Sequence, residues 1–119
     1  MQLADGGLSF EVVHLDEMAV IRLSGELDLS SEPLLREVLE PLCGQRGFRV
    51  ELDVAQVTFM DSSGLHALVD LGRLSQSAAG KLVVLNPNEW VRGLFETTGI
   101  DRALHCRESG CGGRERGET

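Results

Sequence analysis

Two hydroxyls and a carboxylate stand together at Asp61-Ser62-Ser63, followed at once by Gly64 and Leu65. Ahead of them, Arg49-Val50-Glu51-Leu52-Asp53-Val54 reads as a strand, and an apolar pattern with helical spacing begins just after. The stretch from Val57 to Leu65 is therefore the place where a strand hands over to a helix. The first turn of a helix carries free backbone N–H groups and a partial positive charge. A serine there can cap the helix, attack a substrate, or carry a phosphate.

A nucleophile is poorly supported. A hydrolase elbow needs Gly-x-Ser-x-Gly, but Met60 stands two residues before Ser62 and Asp61 two before Ser63. His66, four residues after Ser62 on the same helix, would lie along the helix and not across from the hydroxyl, a poor geometry for a base. A bound nucleotide would suit a helix start. Yet no glycine-rich loop followed by lysine is present.

The third option is modification of the serine itself. Asp61, Ser63 and Gly64 are small neighbours, so the turn should project and be reachable. A phosphate on Ser62 would sit at the positive end of its own helix, which the fold would tolerate. The consequence would fall on a docked partner. An unmatched charge at an interface costs about 2–5 kcal/mol, or roughly 30-fold to several thousandfold in affinity. The plainer alternative is that Ser62 and Ser63 only cap the helix.

A chain of 119 residues is expected to form one domain with a modest core. With 42% apolar and 25% charged residues it belongs with soluble globular proteins. No apolar run approaches the roughly 20 residues that cross a bilayer, and Met1 to Gly7 has neither a basic patch nor an apolar core. A cytoplasmic protein without membrane association is expected. A formal net charge of -8 argues against direct nucleic-acid binding, which needs a basic surface. It suits a protein partner with a basic face.

Three cysteines do not make a disulfide framework. Cys43 reads as a buried small apolar residue. His105, Cys106 and Cys111 form a scrap of a metal-site pattern with no standard spacing and no fourth ligand, so no metal or cofactor is expected. A redox-sensitive Cys106–Cys111 pair is the alternative.

The elements that must position the serine turn follow from apolar periodicity. Leu8 to His14 and Met18 to Gly25 read as a hairpin. Glu26 to Ser31 is a polar loop ending in hydroxyls suited to an N-cap, with Pro33 in the first helical turn. Leu34, Leu35, Val38, Leu39 and Leu42 mark a helix to about Cys43, closed by Gly44 and Gly47. A strand from Phe48 to Val54 leads to the serine turn. Leu65, Leu68, Val69, Leu71 and Leu74 mark a second helix, ending near Ser77. Lys81 to Leu85 is a strand covered on both faces. Asn86-Pro87-Asn88-Glu89 is a helix start with Asn86 as cap. Val91, Leu94, Phe95 and Thr98 give this third helix its stripe, and Gly99 stops it. Ile100 to Cys106 can hold a last strand. The order β-β-α-β-α-β-α-β predicts an α/β fold, a mixed sheet with helices packed against it. The expected organisation is a tail over 1–7, a domain over 8–106 and a mobile tail over 107–119. Trp90, one residue ahead of its stripe, reads as partly exposed. His14 reads as solvated, and Asp53 as facing solvent or a loop N–H.

Three stretches together resemble a STAS domain, the family of sulfate transporters and anti-sigma factor antagonists. They are Leu23-Ser24-Gly25-Glu26-Leu27-Asp28, Phe59 to Leu65, and Pro87 to Gly99, in the expected order and spacing. The resemblance spans about Leu8 to Cys106. For stand-alone bacterial members it implies an anti-sigma factor antagonist whose unmodified form binds an anti-sigma factor that is also a serine kinase, freeing a sigma factor. It implies phosphorylation of the serine directly after the aspartate, Ser62, with release of the partner, and reversal by a PP2C-type phosphatase. It implies a binding role and no enzymatic one. Asp28 maps onto a position associated with partner contact, and Asp61 flanks the acceptor. Ser30, Ser63, Gly64 and His66 complete the expected contact face. The alternatives are a scaffold of the same fold without phosphorylation and a small-ligand or nucleotide sensor. The segment after Cys106 departs from the family pattern.

Overall fold

The computed structural model describes residues 2–5, 7–99, 105–107 and 115–116, the first and the last two groups through their backbone. Its strands are β1 (Gln2–Asp5), β2 (Leu8–His14), β3 (Met18–Leu27), β4 (Arg49–Met60), β5 (Lys81–Leu85), β6 (His105–Arg107) and β7 (Glu115–Arg116). Its helices are α1 (Glu32–Cys43), α2 (Ser62–Ser77) and α3 (Glu89–Thr98). The strands lie side by side in chain order. β1, β2 and β3 pair antiparallel, β3 to β6 pair parallel, and β7 returns antiparallel to β6. Each parallel step carries one helix, because parallel neighbours cannot be joined by a tight turn. The mixed α/β sheet is the architecture the sequence predicts.

Alternation decides which face is covered. Phe10, Ile21, Leu23, Leu52 and Val54 share one buried cluster with Leu35 and Leu39 of α1, Leu68 and Leu71 of α2, and Val91 and Phe95 of α3. The opposite face of β2 and β3 carries the exposed Arg22–Glu11 ion pair at 3.1 Å, and the Arg49–Glu51 pair of β4 closes at 2.8 Å. Leu82, Val83, Val84 and Leu85 of β5 are all buried, as a strand covered on both faces requires. Arg36 ties α1 to α2, reaching Glu32 at 3.0 Å along its own helix and Asp70 at 3.0 Å across to the next.

The structure departs from the pattern expected of the sequence at several points. Gln2–Asp5 is a strand and not a tail, because it pairs antiparallel with Leu8–Glu11 around Gly7 (φ 86°). Gly7 in turn lies against Gly25, where the backbone carbonyl of Gly7 leaves no room for a Cβ. Glu115–Arg116 pairs with β6 inside the segment expected to be a mobile tail. β4 does not stop at Val54 but runs to Met60, since β3 continues beside it to Leu27 through two register shifts. The cap of α3 is Asn88 and not Asn86: Asn88 Oδ1 accepts from the Val91 N–H at 2.9 Å, while Asn86 takes a left-handed φ of 55°. At α1 the Ser31 hydroxyl makes no cap bond and turns back to the Glu26 carbonyl at 2.8 Å. Gly44 closes α1 as expected, while Gly47 lies three residues beyond it in the left-handed region; Leu74 of the α2 stripe is 37% exposed, the buried position next to it being Ser75. Gly99 closes α3 in the left-handed region, as expected.

Other readings fall where the sequence places them. Cys43 is fully buried. Asp53 accepts from the Ala55 N–H at 3.0 Å and from the Asn86 amide at 3.2 Å. His14 is exposed, its ring edge-on to Phe48 at 5.5 Å. His105 and Cys106 belong to β6, whereas Cys111 lies outside the described residues, and with it the Cys106–Cys111 pair. No helix among the described residues is long and apolar enough to cross a membrane.

Candidate functional site

The site lies where β3 and β4 end side by side and release the chain into α1 and α2. Leu27 and Met60 are register partners at this end. The Asp61 N–H donates to the Leu27 carbonyl at 3.2 Å, so the two exits are tied at the backbone.

Asp61 caps α2. Its backbone is extended, and Oδ1 accepts from the Gly64 N–H at 3.1 Å, satisfying one of the free donors of the first turn. Its other oxygen, Oδ2, accepts from the Leu29 N–H at 3.3 Å across the gap to the β3–α1 loop. The carboxylate thus takes the capping role otherwise open to the serines. Ser62 is the first residue of the helix and is exposed; Ser63 is half-buried. Gly64 is buried because the helix start presses on the end of β3: a Cβ there would stand 2.7 Å from Leu27 Cγ and 2.8 Å from the Leu27 carbonyl oxygen. His66 is exposed one turn further along α2.

The loop that carries Asp28 is wired by short polar side chains. Asp28 Oδ1 accepts from the Ser30 hydroxyl at 2.7 Å, the Ser30 N–H at 3.0 Å and the Ser31 N–H at 3.2 Å. These bonds, the Ser30 hydroxyl foremost, hold the Asp28 carboxyl below the ordinary aspartate range. Ser31 is fully buried; its hydroxyl accepts from the Asp28 N–H at 3.0 Å and donates to the Glu26 carbonyl at 2.8 Å. The structure therefore brings Asp28, Ser30, Asp61, Ser62, Ser63 and Gly64 to one end of the sheet, with His66 further along the helix.

Three contributors escape a reading of the sequence. Leu29 receives the second bond of Asp61 and leaves its side chain 70% exposed. Ser31 wires the loop from inside. Asn88 holds α3 to the end of β4, its amide donating to the Val57 carbonyl at 2.7 Å. Next to that contact Phe59 and Trp90 stack with ring centroids 5.6 Å apart, both partly exposed. An apolar residue between an aspartate and a serine was the one available signal for Leu29.

A mixed sheet with a helix at each parallel crossover, and an Asp-Ser-Ser-Gly helix start at its rim, is the arrangement of a STAS domain. The STAS domain family matches residues 9–109, and the chain belongs to that family. It is similar to the anti-sigma-B factor antagonist of Staphylococcus epidermidis, 31% identical over 101 residues that cover 85% of this chain and 94% of the relative. In fold it resembles the anti-sigma factor antagonist SpoIIAA in its unphosphorylated form, with a TM-score of 0.70, 24% identity, and 87% of this chain against 90% of that one. The phosphorylated form of the Bacillus cell fate determinant SpoIIAA superimposes with a TM-score of 0.66 at 24% identity, covering 87% and 93% of the two chains.

Proposed function

We propose that this protein is an anti-sigma factor antagonist switched by phosphorylation of Ser62. The observation that carries the reading is the division of labour at the start of α2. Asp61 makes the cap bond, and the Ser62 hydroxyl is exposed at the first helical position. A relative aligned over most of both chains bears the name of an anti-sigma-B factor antagonist. The unmodified protein docks an anti-sigma factor through the face containing Asp28, Ser30, Asp61, Ser63, Gly64 and His66, and so frees a sigma factor. The partner acts as a serine kinase, a PP2C-type phosphatase removes the mark, and the protein performs no catalysis of its own.

The switch is electrostatic. A phosphoserine carries a charge of about -1.5 to -2 at neutral pH. At Ser62 that charge meets the positive end of α2, which leaves the fold intact. It also stands beside Asp61, so the docked partner must desolvate two adjacent anions or let go. The test is a reconstituted complex with the anti-sigma factor of the same organism. Addition of ATP is expected to release this protein with phosphate mapped to the Ser62 peptide. A complex that dissociates on ATP while Ser62 stays unmodified contradicts the reading.

A further inference from the structure

Leu29 is the most exposed large apolar side chain among the described residues, at 70%, and its backbone is held from two sides. Asp61 Oδ2 accepts its N–H, and the Asp28 carboxylate closes the turn through Ser30 and Ser31 directly after it. A loop held by that many polar bonds has little freedom to fold its leucine back onto the domain. An apolar side chain presented rigidly costs less entropy to bury on docking than one on a mobile loop. Two carboxylates, Asp28 and Asp61, flank it, on a chain of formal net charge -8. The same Asp61 caps the helix of Ser62, so the leucine and the acceptor hydroxyl are positioned by one side chain.

We infer that Leu29 is the apolar anchor of this face, inserting into an apolar pocket with a basic rim on the anti-sigma factor. The inference rests on the functional reading above and adds to it the residue that supplies affinity. The carboxylates select the partner and orient it; the leucine holds it. Phe59 and Trp90 are less exposed than Leu29 and are engaged with each other, stacked between β4 and α3.

The experiment titrates the purified anti-sigma factor of the same organism with the wild type, Leu29→Gln, Leu29→Met and Ser62→Asp, with thermal unfolding of each in parallel. Removing a fully buried leucine from an interface is worth roughly ten- to a hundredfold in affinity. Leu29→Gln is expected to lose that much with an unchanged unfolding temperature, since its side chain is solvated in the free protein. Leu29→Met is expected to bind within about threefold of wild type by conserving volume and polarity. Wild-type affinity in Leu29→Gln, with Ser62→Asp weakened, overturns the anchor and leaves the switch standing. Failure of the unmodified wild type to bind overturns the functional reading and the anchor with it.

Discussion

The Asp61 carboxylate spans the two exits of the sheet, one oxygen on the Gly64 N–H of its own helix and the other on the N–H of Leu29 in the neighbouring loop. Removing it severs both. Asp61→Ala is expected to destabilise the domain by about 1 kcal/mol, the ordinary value of a lost N-cap, which lowers the unfolding temperature by a few degrees. Amide exchange at Gly64 and Leu29 should quicken together. Asp61→Asn keeps an acceptor and should recover most of the stability. Fast exchange at only one of the two amides would show that the link across the exits is not held by this side chain.

Ser62 separates charge from capping. Ser62→Ala is expected to bind the anti-sigma factor as the unmodified protein does and to stay bound when ATP is added. Ser62→Asp should bind at least 30-fold more weakly, from an unmatched charge of about 2 kcal/mol or more. Neither change touches the cap bond of Asp61, so both variants should unfold near the wild-type temperature. Calorimetric titration with and without ATP reads the three binding outcomes, and thermal unfolding reads the fourth.

Two helical glycines should respond in opposite directions to alanine. At Gly64 the added methyl meets Leu27 and Met60, with Leu27 Cγ at 2.7 Å, and the backbone carbonyl of Leu27 cannot give way as a side chain would. Gly64→Ala is expected to lose about 1–3 kcal/mol despite the better helix propensity of alanine. At Gly93 in α3 nothing lies within 4 Å of the new carbon, so Gly93→Ala should gain about 0.5–1 kcal/mol. Urea unfolding of the two variants checks the sign of each.

Asp28 titrates below its unfolded counterpart because the Ser30 hydroxyl and the Ser30 and Ser31 amides favour its charged form. A depressed carboxyl contributes stability that is present above the unfolded pKa and is lost as pH falls through the folded one. The β3–α1 loop should therefore loosen only as pH falls below the ordinary aspartate value of about 3.9. A carboxyl-carbon titration by NMR should place Asp28 low in the wild type and move it upward in Ser30→Ala. An unmoved midpoint in Ser30→Ala would remove the hydroxyl as the main cause.

Cys43 is sealed under α1, and burial, helped by the negative charge of Glu40, pushes its thiol up to about 12. The thiolate is the reactive form. At pH 8 the Cys43 peptide should remain unalkylated in the folded protein and label only on unfolding, as mass mapping after timed iodoacetamide exposure would show.

The order of strands and helices is legible in the sequence because one apolar face per element repeats cleanly, from Leu35, Leu39 and Cys43 in α1 to Val91 and Phe95 in α3. The serine turn and the Asp28 loop are legible as types of residue at a strand-to-helix change. Their wiring is not. The end of β4 hides because its register shifts put Val57 and Met60, three apart, on buried positions, which breaks the alternation that marks a strand. Asn-Pro-Asn-Glu offers two asparagines as caps, and the choice falls to Asn88 because Asp53 holds the amide of Asn86 in a left-handed turn. The Asp61–Leu29 bond joins residues far apart in the chain, and no local pattern announces it.

Asn88 carries a consequence of its own. Between Val54 and Met60, β4 outruns β5, whose pairing ends at Asp53, and that rim of backbone could template a foreign strand. Among the described residues the Asn88 amide covers the Val57 carbonyl and the Asp53 carboxylate the Ala55 N–H, and the oxygen of the same Asn88 starts α3. Losing the Asn88 side chain would unfasten a helix and bare a sticky border in the same stroke, a route to self-association.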